Sequence, residues 1–468
     1  MENPFRNLPS VTQLLDSPPL KRLVHSVNHH VVVDGVRSFL DNMRQQMTKT
    51  AERFDLPTTG ELAEKIASWL QNERRPMLRP VINGTGILLH TGLGRAPLAE
   101  RALQAIQSVA AGYSSLEVDL ETGQRGQRAE IVKRLICELT GSDDAAVANN
   151  NAAATMITLS SMAAGREVIV SRGQLIEIGG SYRLPEVMTG SGCVLREIGT
   201  TNKTRIEDYE AAINDRTGAI LRVHPSNFQV VGFSETPALK EIVQVARRHS
   251  LPVIDDIGSG ALIDFSAYGL KDEPVARDSI EAGADVVLFS GDKLVGGPQS
   301  GIIAGSRHWV RAILKNPLMR AMRVDKLTLA ALVATLELYS SRETAEQQIP
   351  LLAMLATSLA NLEMRAKKIA GQISHLDCLS DVSVVNESSM LGGGSIPTQE
   401  IPTFCVSFGA NAGTIDDLAK SLRCQDPAIM GRINRNRMLL DLRTIHPRYD
   451  VAIVTAFERL SSAPTKSA

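Results

Sequence analysis

Between residues 140 and 305 the chain returns again and again to short, mainly apolar runs: Ala145–Ala148, Val168–Val170, Val194–Ile198, Ala219–Val223, Val253–Ile254, Val286–Phe289 and Ile302–Ala304. Short runs with little polar alternation predict strands covered on both faces. Helical stretches separate several of them. The clearest is Thr236–Arg248, with Thr236 placed as N-cap, Pro237 at the first helical position and two arginines in the last turn. Such alternation predicts an α/β fold with a mainly parallel sheet, its ligand bound beyond the carboxyl ends of the strands. No GxGxxG fingerprint follows the first strand, which argues against a plain nicotinamide-binding fold.

The flanks read differently. Residues 1–75 form a separate helical region, in which Ser10–Leu15 and Gly60–Leu70 each put apolar residues on one face. From its composition this region is a helical cap or a dimerisation arm. Asn72–Pro80, with two prolines and a basic cluster, reads as a linker. Beyond 305, Asp325–Ser340 and Pro350–Ile373 are long helical stretches leading to a small α+β region punctuated by Val382–Val385, Phe404–Phe408, Met438–Leu442 and Val451–Phe457. Gly392–Ser395 reads as a flexible turn. The expected division is 1–75, 76–345 and 346–468.

A net charge of −1 announces neither nucleic acid nor membrane, and 4% aromatics argue against a broad base-stacking surface. Five cysteines without a CxxC pair read as reduced thiols rather than a disulfide framework or zinc site. The first ten residues lack the apolar core of a signal peptide, and no run reaches membrane-spanning length. A cytoplasmic protein is expected.

The chemistry centres on Asp285–Gly305, two apolar strands joined by a glycine-rich turn that carries Lys293. Gly291, Gly296, Gly297 and Gly301 are expected to allow positive φ and close approach to a ligand. A lysine held there can be desolvated, which favours the neutral, nucleophilic amine. Two further stretches suit the same ligand. Asn150, Asn151 and Ala152 follow a strand and open a helix, either as ordinary capping or as a phosphate site. Asp255 and Asp256 end a buried strand, where a carboxylate needs a partner such as a protonated pyridine nitrogen. Asp255 is preferred because it directly follows the apolar run. Phosphate cup, pyridinium acid and Schiff-base lysine, in that chain order, describe a site for pyridoxal 5′-phosphate (PLP). Gln174 is placed over the ring, Ser290 among the cofactor contacts, and His224 either near the cofactor or in a structural loop role. Arg95 ends a glycine-rich loop, as a surface arginine or an anion contact, and Arg125 and Arg128 end a second such loop. Arg320 and Arg323, three apart, would share a helical face, as solvated residues or as an anion fork.

Asn83-Gly-Thr-Gly with Leu-Gly-Arg95, Gly112-Tyr-Ser-Ser-Leu-Glu, Arg125-Gly-Gln-Arg128, Glu177-Ile-Gly-Gly-Ser, Asp256-Ile-Gly-Ser-Gly260, Ser290-Gly-Asp-Lys293-Leu-Val-Gly-Gly-Pro-Gln and Arg320-Ala-Met-Arg323-Val-Asp-Lys together resemble the bacterial selenocysteine synthase (L-seryl-tRNA(Sec) selenium transferase) family. The resemblance runs from about residue 5 to 458. It implies an aspartate-aminotransferase-like (fold type I) PLP domain that replaces the serine hydroxyl of seryl-tRNA(Sec) with selenium from selenophosphate. It further implies that Lys293 carries PLP and takes the Cα proton, that Asp292 is catalytic beside it, and that Arg95, Arg320 and Arg323 bind the anion. The N-terminal region would grip the tRNA elbow, and the family assembles as a ring of dimers, a decamer, with sites at subunit interfaces. The rival reading is a tRNA-independent PLP lyase acting on a free amino acid or amino sugar. Some close relatives with such activity lack the N-terminal arm.

Overall fold

The computed structural model describes residues 8–49, 57–73, 78–126, 128–179, 182–225, 228, 230–392 and 399–462. The linker expectation at 72–80, the turn at 392–395 and the motif positions Gln127, Gly180, Ser181 and Asn227 fall wholly or partly outside them. The chain divides into two compact units, 1–80 and 81–468.

In the first unit, helices Val11–Leu15, Pro18–Ser26, His29–Lys49 and Thr59–Glu73 enclose a core that includes Leu14, Leu20, Val36, Leu40, Leu62 and Ile66. Ser10 and Gln13 cap the first helix reciprocally, and Thr58 and Glu61 do the same for the fourth.

The second unit holds the strands β1 (Val81–Gly84), β2 (Asp144–Ala148), β3 (Glu167–Ser171), β4 (Glu177–Ile178), β5 (Tyr182–Arg183), β6 (Val194–Ile198), β7 (Thr217–Val223), β8 (Val253–Gly258), β9 (Val286–Ser290), β10 (Gly301–Gly305), β11 (Leu379–Met390), β12 (Glu400–Ala410), β13 (Ala428–Asn434) and β14 (Arg437–Asp441). The seven apolar runs are the seven strands of one sheet, in the order β2-β10-β9-β8-β7-β3-β6. Strands β6, β3, β7, β8 and β9 are parallel, while β10 lies antiparallel between β9 and β2. Both faces are covered except at the edge strand β6, which is largely exposed. Val253, Val287, Phe289 and Ile302 face one apolar cluster, and Ile254, Leu288 and Ile303 face the other, together with Ala154 and Ile157 of the helix Asn151–Ala163. This alternation decides below which aspartate meets the ligand.

Several boundaries move. The helix expected from Thr236 is Leu239–Arg248, and its cap is Ala238, whose N–H donates to Glu241. Pro350–Ile373 is two helices, Pro350–Ala356 and Leu359–Ile373, the second capped by Ser358. Val451–Phe457 lies in a helix, Asp450–Ser462. β1, assigned by sequence to the central region, pairs parallel with β13 in a second sheet, β1-β13-β14-β12-β11. That sheet packs with the last helices around Phe408, Leu422, Ile429 and Phe457.

Candidate active site

The β9–β10 hairpin places Lys293. Its turn is closed by Gly296 N–H to the Lys293 carbonyl and Gly297 N–H to the Gly291 carbonyl, each 2.9 Å. Leu294 N–H donates to Ser259 O at 3.1 Å, and Tyr339 Oη donates to Val295 O at 2.9 Å, so the turn is fixed from both sides. Of the four glycines only Gly296 has positive φ, +69°. Gly301 serves packing instead: a Cβ there would lie 2.2 Å from the Asn150 carbonyl oxygen, against which the helix start is seated.

A cavity of about 470 Å³ opens at the carboxyl ends of the strands. Lys293, Asp256, Asn150, Asn151, Ala152, Ser290, Asp292, Arg95 and His224 all line it. Lys293 is buried, and desolvation pushes its amine well below the ordinary lysine value, with Arg95 adding to the shift; Asp256, Asp292 and Glu273 oppose it. Asn150 Oδ1 accepts from Ala153 N–H at 2.9 Å, which caps the helix and leaves the Asn151 and Ala152 amides at the cavity wall.

The two aspartates part company. Asp256 follows Ile254 on the face that carries the helix Asn151–Ala163. It accepts from Asn151 Nδ2 and Thr155 Oγ1 at 2.9 Å and from Gly258 N–H at 3.1 Å. Burial nonetheless pushes its carboxyl above the usual range, against these three donors and the charge of Lys293. Asp255 follows Val253 on the opposite face, does not line the cavity, and is fully buried against Arg222 Nη1 at 2.8 Å. The preference for Asp255 is therefore corrected: strand alternation turns it away, and Asp256 is the acid in the cavity.

Arg95, at a left-handed φ of +63°, donates to Asp292 at 2.7 Å on the cavity rim. Holding a non-glycine residue there costs about 1–2 kcal/mol, so the arginine is kept in position by its surroundings. Among the described residues His224 Nε2 is buried without a hydrogen-bond partner, and burial, with Arg222 nearby, lowers its imidazole to about 4. Gln174 is not over the cavity. Its Oε1 accepts from Val223 N–H at 3.1 Å, and Ile176 and Ile178 line the wall instead.

Arg320 and Arg323 lie elsewhere, in a separate cavity of about 480 Å³ that they share with Glu117 and Arg128. Their shared helical face does not exist: the helix Met319–Met322 ends before Arg323, whose backbone is extended and bridged to Ala148. Within one chain they do not meet Arg95. Glu117 is the hub of that region, accepting from Arg125 at 2.8 Å and Arg128 at 3.0 Å.

Sequence reading missed Thr155 and Tyr182. Thr155 stands one helical turn from Asn151, a spacing that was available. Tyr182, lining the cavity beside Thr155, sits in the β4–β5 hairpin, whose strands are two residues each and leave no periodic signal. Among the described residues no group of three His, Cys, Asp or Glu side chains is placed to hold a metal ion.

Residues 81–446 match the family described as L-seryl-tRNA selenium transferase, and residues 5–44 match its companion, selenocysteine synthase N terminal. The chain belongs to the L-seryl-tRNA selenium transferase family. It is 46% identical over 446 residues to an L-seryl-tRNA(Sec) selenium transferase of Moorella thermoacetica, covering 95% of this chain and 94% of that one. The protein of the same description from Carboxydothermus hydrogenoformans is 43% identical over 448 residues, 95% of each chain. Among solved structures, a D-glucosaminate-6-phosphate ammonia-lyase superposes with a TM-score of 0.58 at 23% identity, over 82% of this chain and 96% of that one, a likeness of fold. That likeness is one of an α/β fold, and family membership makes the chain a transferase of selenocysteine biosynthesis.

Proposed function

We propose that this chain converts L-seryl-tRNA(Sec) to L-selenocysteinyl-tRNA(Sec). The serine Cβ–O bond breaks and a Cβ–Se bond forms with selenium from selenophosphate, whose phosphorus takes up the oxygen as phosphate. The observation that carries the reading is a lysine amine, biased toward its neutral form by burial, sharing one cavity with a fixed carboxylate and free helix amides in a chain of this family.

The residues fit PLP. Asp256 is a buried acid with three donors but no cation bonded to it, which a pyridinium nitrogen would supply. The Asn151 and Ala152 amides at the helix N-terminus suit its phosphate. When bound, PLP supplies an aldehyde carbon to which an amine adds and a ring that holds the electron pair left behind by the departing Cα proton. Lys293 would be the anchoring amine and then the base for that proton, since burial favours its neutral form over that of an ordinary lysine. Asp256 would hold the ring nitrogen in its protonated form. Asp292 orients Arg95, whose guanidinium meets the anion at the rim. Ile176 and Ile178 narrow the cavity against water.

Arg320 and Arg323 stand apart from Lys293 within one chain, and we assign them to the site of a second copy, in a homo-oligomer built as a ring of dimers, a decamer. The first unit is assigned to gripping the tRNA, and the protein to the cytoplasm; no helix among the described residues is long and apolar enough to cross a membrane. Family membership supports the tRNA-dependent reading over the free-substrate lyase. Incubation with seryl-tRNA(Sec) and selenophosphate, followed by hydrolysis and mass analysis of the amino acid, is expected to yield selenocysteine. Serine recovered unchanged, together with turnover of a free amino acid or amino sugar, would reverse the choice.

A further inference from the structure

A larger cavity, about 730 Å³, adjoins the first, and Gly94 and Arg95 line both. Its lining contains five arginines (95, 101, 365, 443 and 448) against one acid, Glu100, in a chain of net charge −1. Most of these cations are committed. Arg365 is paired with Asp450, Arg101 with Glu337 and Arg95 with Asp292, while Arg443 donates to the carbonyls of Pro402, Met354 and Thr357. Arg448 is different. It is exposed, its guanidinium lies 4.8 Å from the centre of the Tyr449 ring and donates to Tyr449 Oη at 3.1 Å, and its backbone N–H donates to His446 Nδ1 at 3.2 Å. An exposed arginine stacked on a half-buried tyrosine is a ready platform in a chain with few aromatics.

We infer that this cavity receives the unpaired 3′ end of the aminoacyl-RNA, with Arg448 and Tyr449 as the stacking platform for a base. The inference rests on the function proposed above. Serine is esterified to the terminal ribose, so when its Cα stands at Lys293 the terminal nucleoside must lie within one or two residue lengths of the rim. The Lys293 cavity already has to hold the cofactor and the seryl group. This adjoining space is reached past Arg95, and its volume lies in the range of small-ligand sites, about 300–1,000 Å³. Aromatic and guanidinium planes beside a basic groove are how proteins hold single-stranded RNA ends. The excess of arginine over acid suits the phosphates, and the apolar wall of Pro97, Leu98, Met354 and Pro447 suits a base.

The test uses the full-length, PLP-loaded protein. Trinucleotide CCA is expected to compete with seryl-tRNA(Sec), AMP to compete more weakly and inorganic phosphate not at all. Arg448→Ala and Tyr449→Ala are each expected to raise KM for seryl-tRNA(Sec) roughly tenfold, from the lower part of the range for one stacked base, with kcat retained at saturation. Tyr449→Phe keeps the ring and should stay near wild type. Phosphate competing as well as CCA would reduce the cavity to a plain anion site and overturn the inference. Unchanged KM in both alanine variants would overturn it as well. If the wild type does not turn over seryl-tRNA(Sec), the proposed function fails instead, and direct binding of labelled CCA to wild type and variants still decides the cavity.

Discussion

Replacing the adjacent aspartates one at a time separates a cofactor contact from a structural ion pair. In Asp256→Asn the shape is kept, and an amide can still accept from Asn151 and Gly258. What disappears is the negative charge facing a pyridinium. A hydrogen bond to a charged group contributes about 1.5–3 kcal/mol, so PLP should bind roughly ten- to 150-fold more weakly. The PLP-free variant should not lose stability. Asp256 has a raised folded pKa, so the unfolded chain releases this proton first. Stability therefore falls as pH rises from the ordinary carboxylate value through the raised one, and Asn removes that penalty at neutral pH. Asp255→Asn does the reverse. Arg222 is left without its carboxylate beside a side chain that is 0% exposed, and breaking a buried pair costs about 3–5 kcal/mol, with Arg222 at 21% exposure favouring the lower end. Titration of the apo-protein with PLP, read by visible absorbance, and thermal unfolding of the apo form give the two readouts. Asp255→Asn losing PLP while Asp256→Asn keeps wild-type affinity would refute the assignment.

Three further outcomes follow from the site. His224 titrates at about 4 when folded against 6.5 for an ordinary histidine, so the unfolded chain takes up this proton first and stability falls as pH drops through that window, by about 3 kcal/mol in full; His224→Gln should flatten that part of the Tm–pH curve, and an unchanged curve counts against a buried neutral imidazole. Lys293 has a lowered folded pKa, so the rate at which apo-protein gains the visible absorbance of a lysine–PLP Schiff base should level off at a pH below that of an ordinary lysine; a rate still climbing through the ordinary value would show a solvated amine, and Lys293→Ala should give no such band. Gly301→Ala puts a methyl 2.2 Å from the Asn150 oxygen, which must push the helix start away from the cavity at about 1–3 kcal/mol of stability and weaken PLP binding; wild-type PLP affinity and Tm in this variant would show that the Asn150–Gly301 contact yields freely.

What could be read from the sequence was whatever is encoded locally. Six of the seven runs became buried strands because a strand covered on both faces must be apolar throughout, whatever its partners, while the seventh, β6, is a largely exposed edge strand that carries Arg196 and Glu197. The lysine turn was legible for a similar reason: glycines and a charged residue between two such runs have few other uses. What failed depended on partners distant in sequence. Asp255 follows the apolar run more closely, yet Asp256 shares a face with Ile254, and only the docking of helix Asn151–Ala163 on that face makes it the site face. Arg323 looked helical beside Arg320, but its backbone is held extended by the bridge to Ala148, and no local propensity reports that contact. β1 was not read as a strand because its partner, β13, lies more than 340 residues later, at Ala428–Gly431 against Val81–Gly84. The same logic bears on the arginines. A motif can place Arg95, Arg320 and Arg323 in one functional set, but one chain puts the last two in a different cavity. If all three serve one anion, the missing proximity has to come from a second copy of the chain, and activity must then depend on assembly as well as on folding.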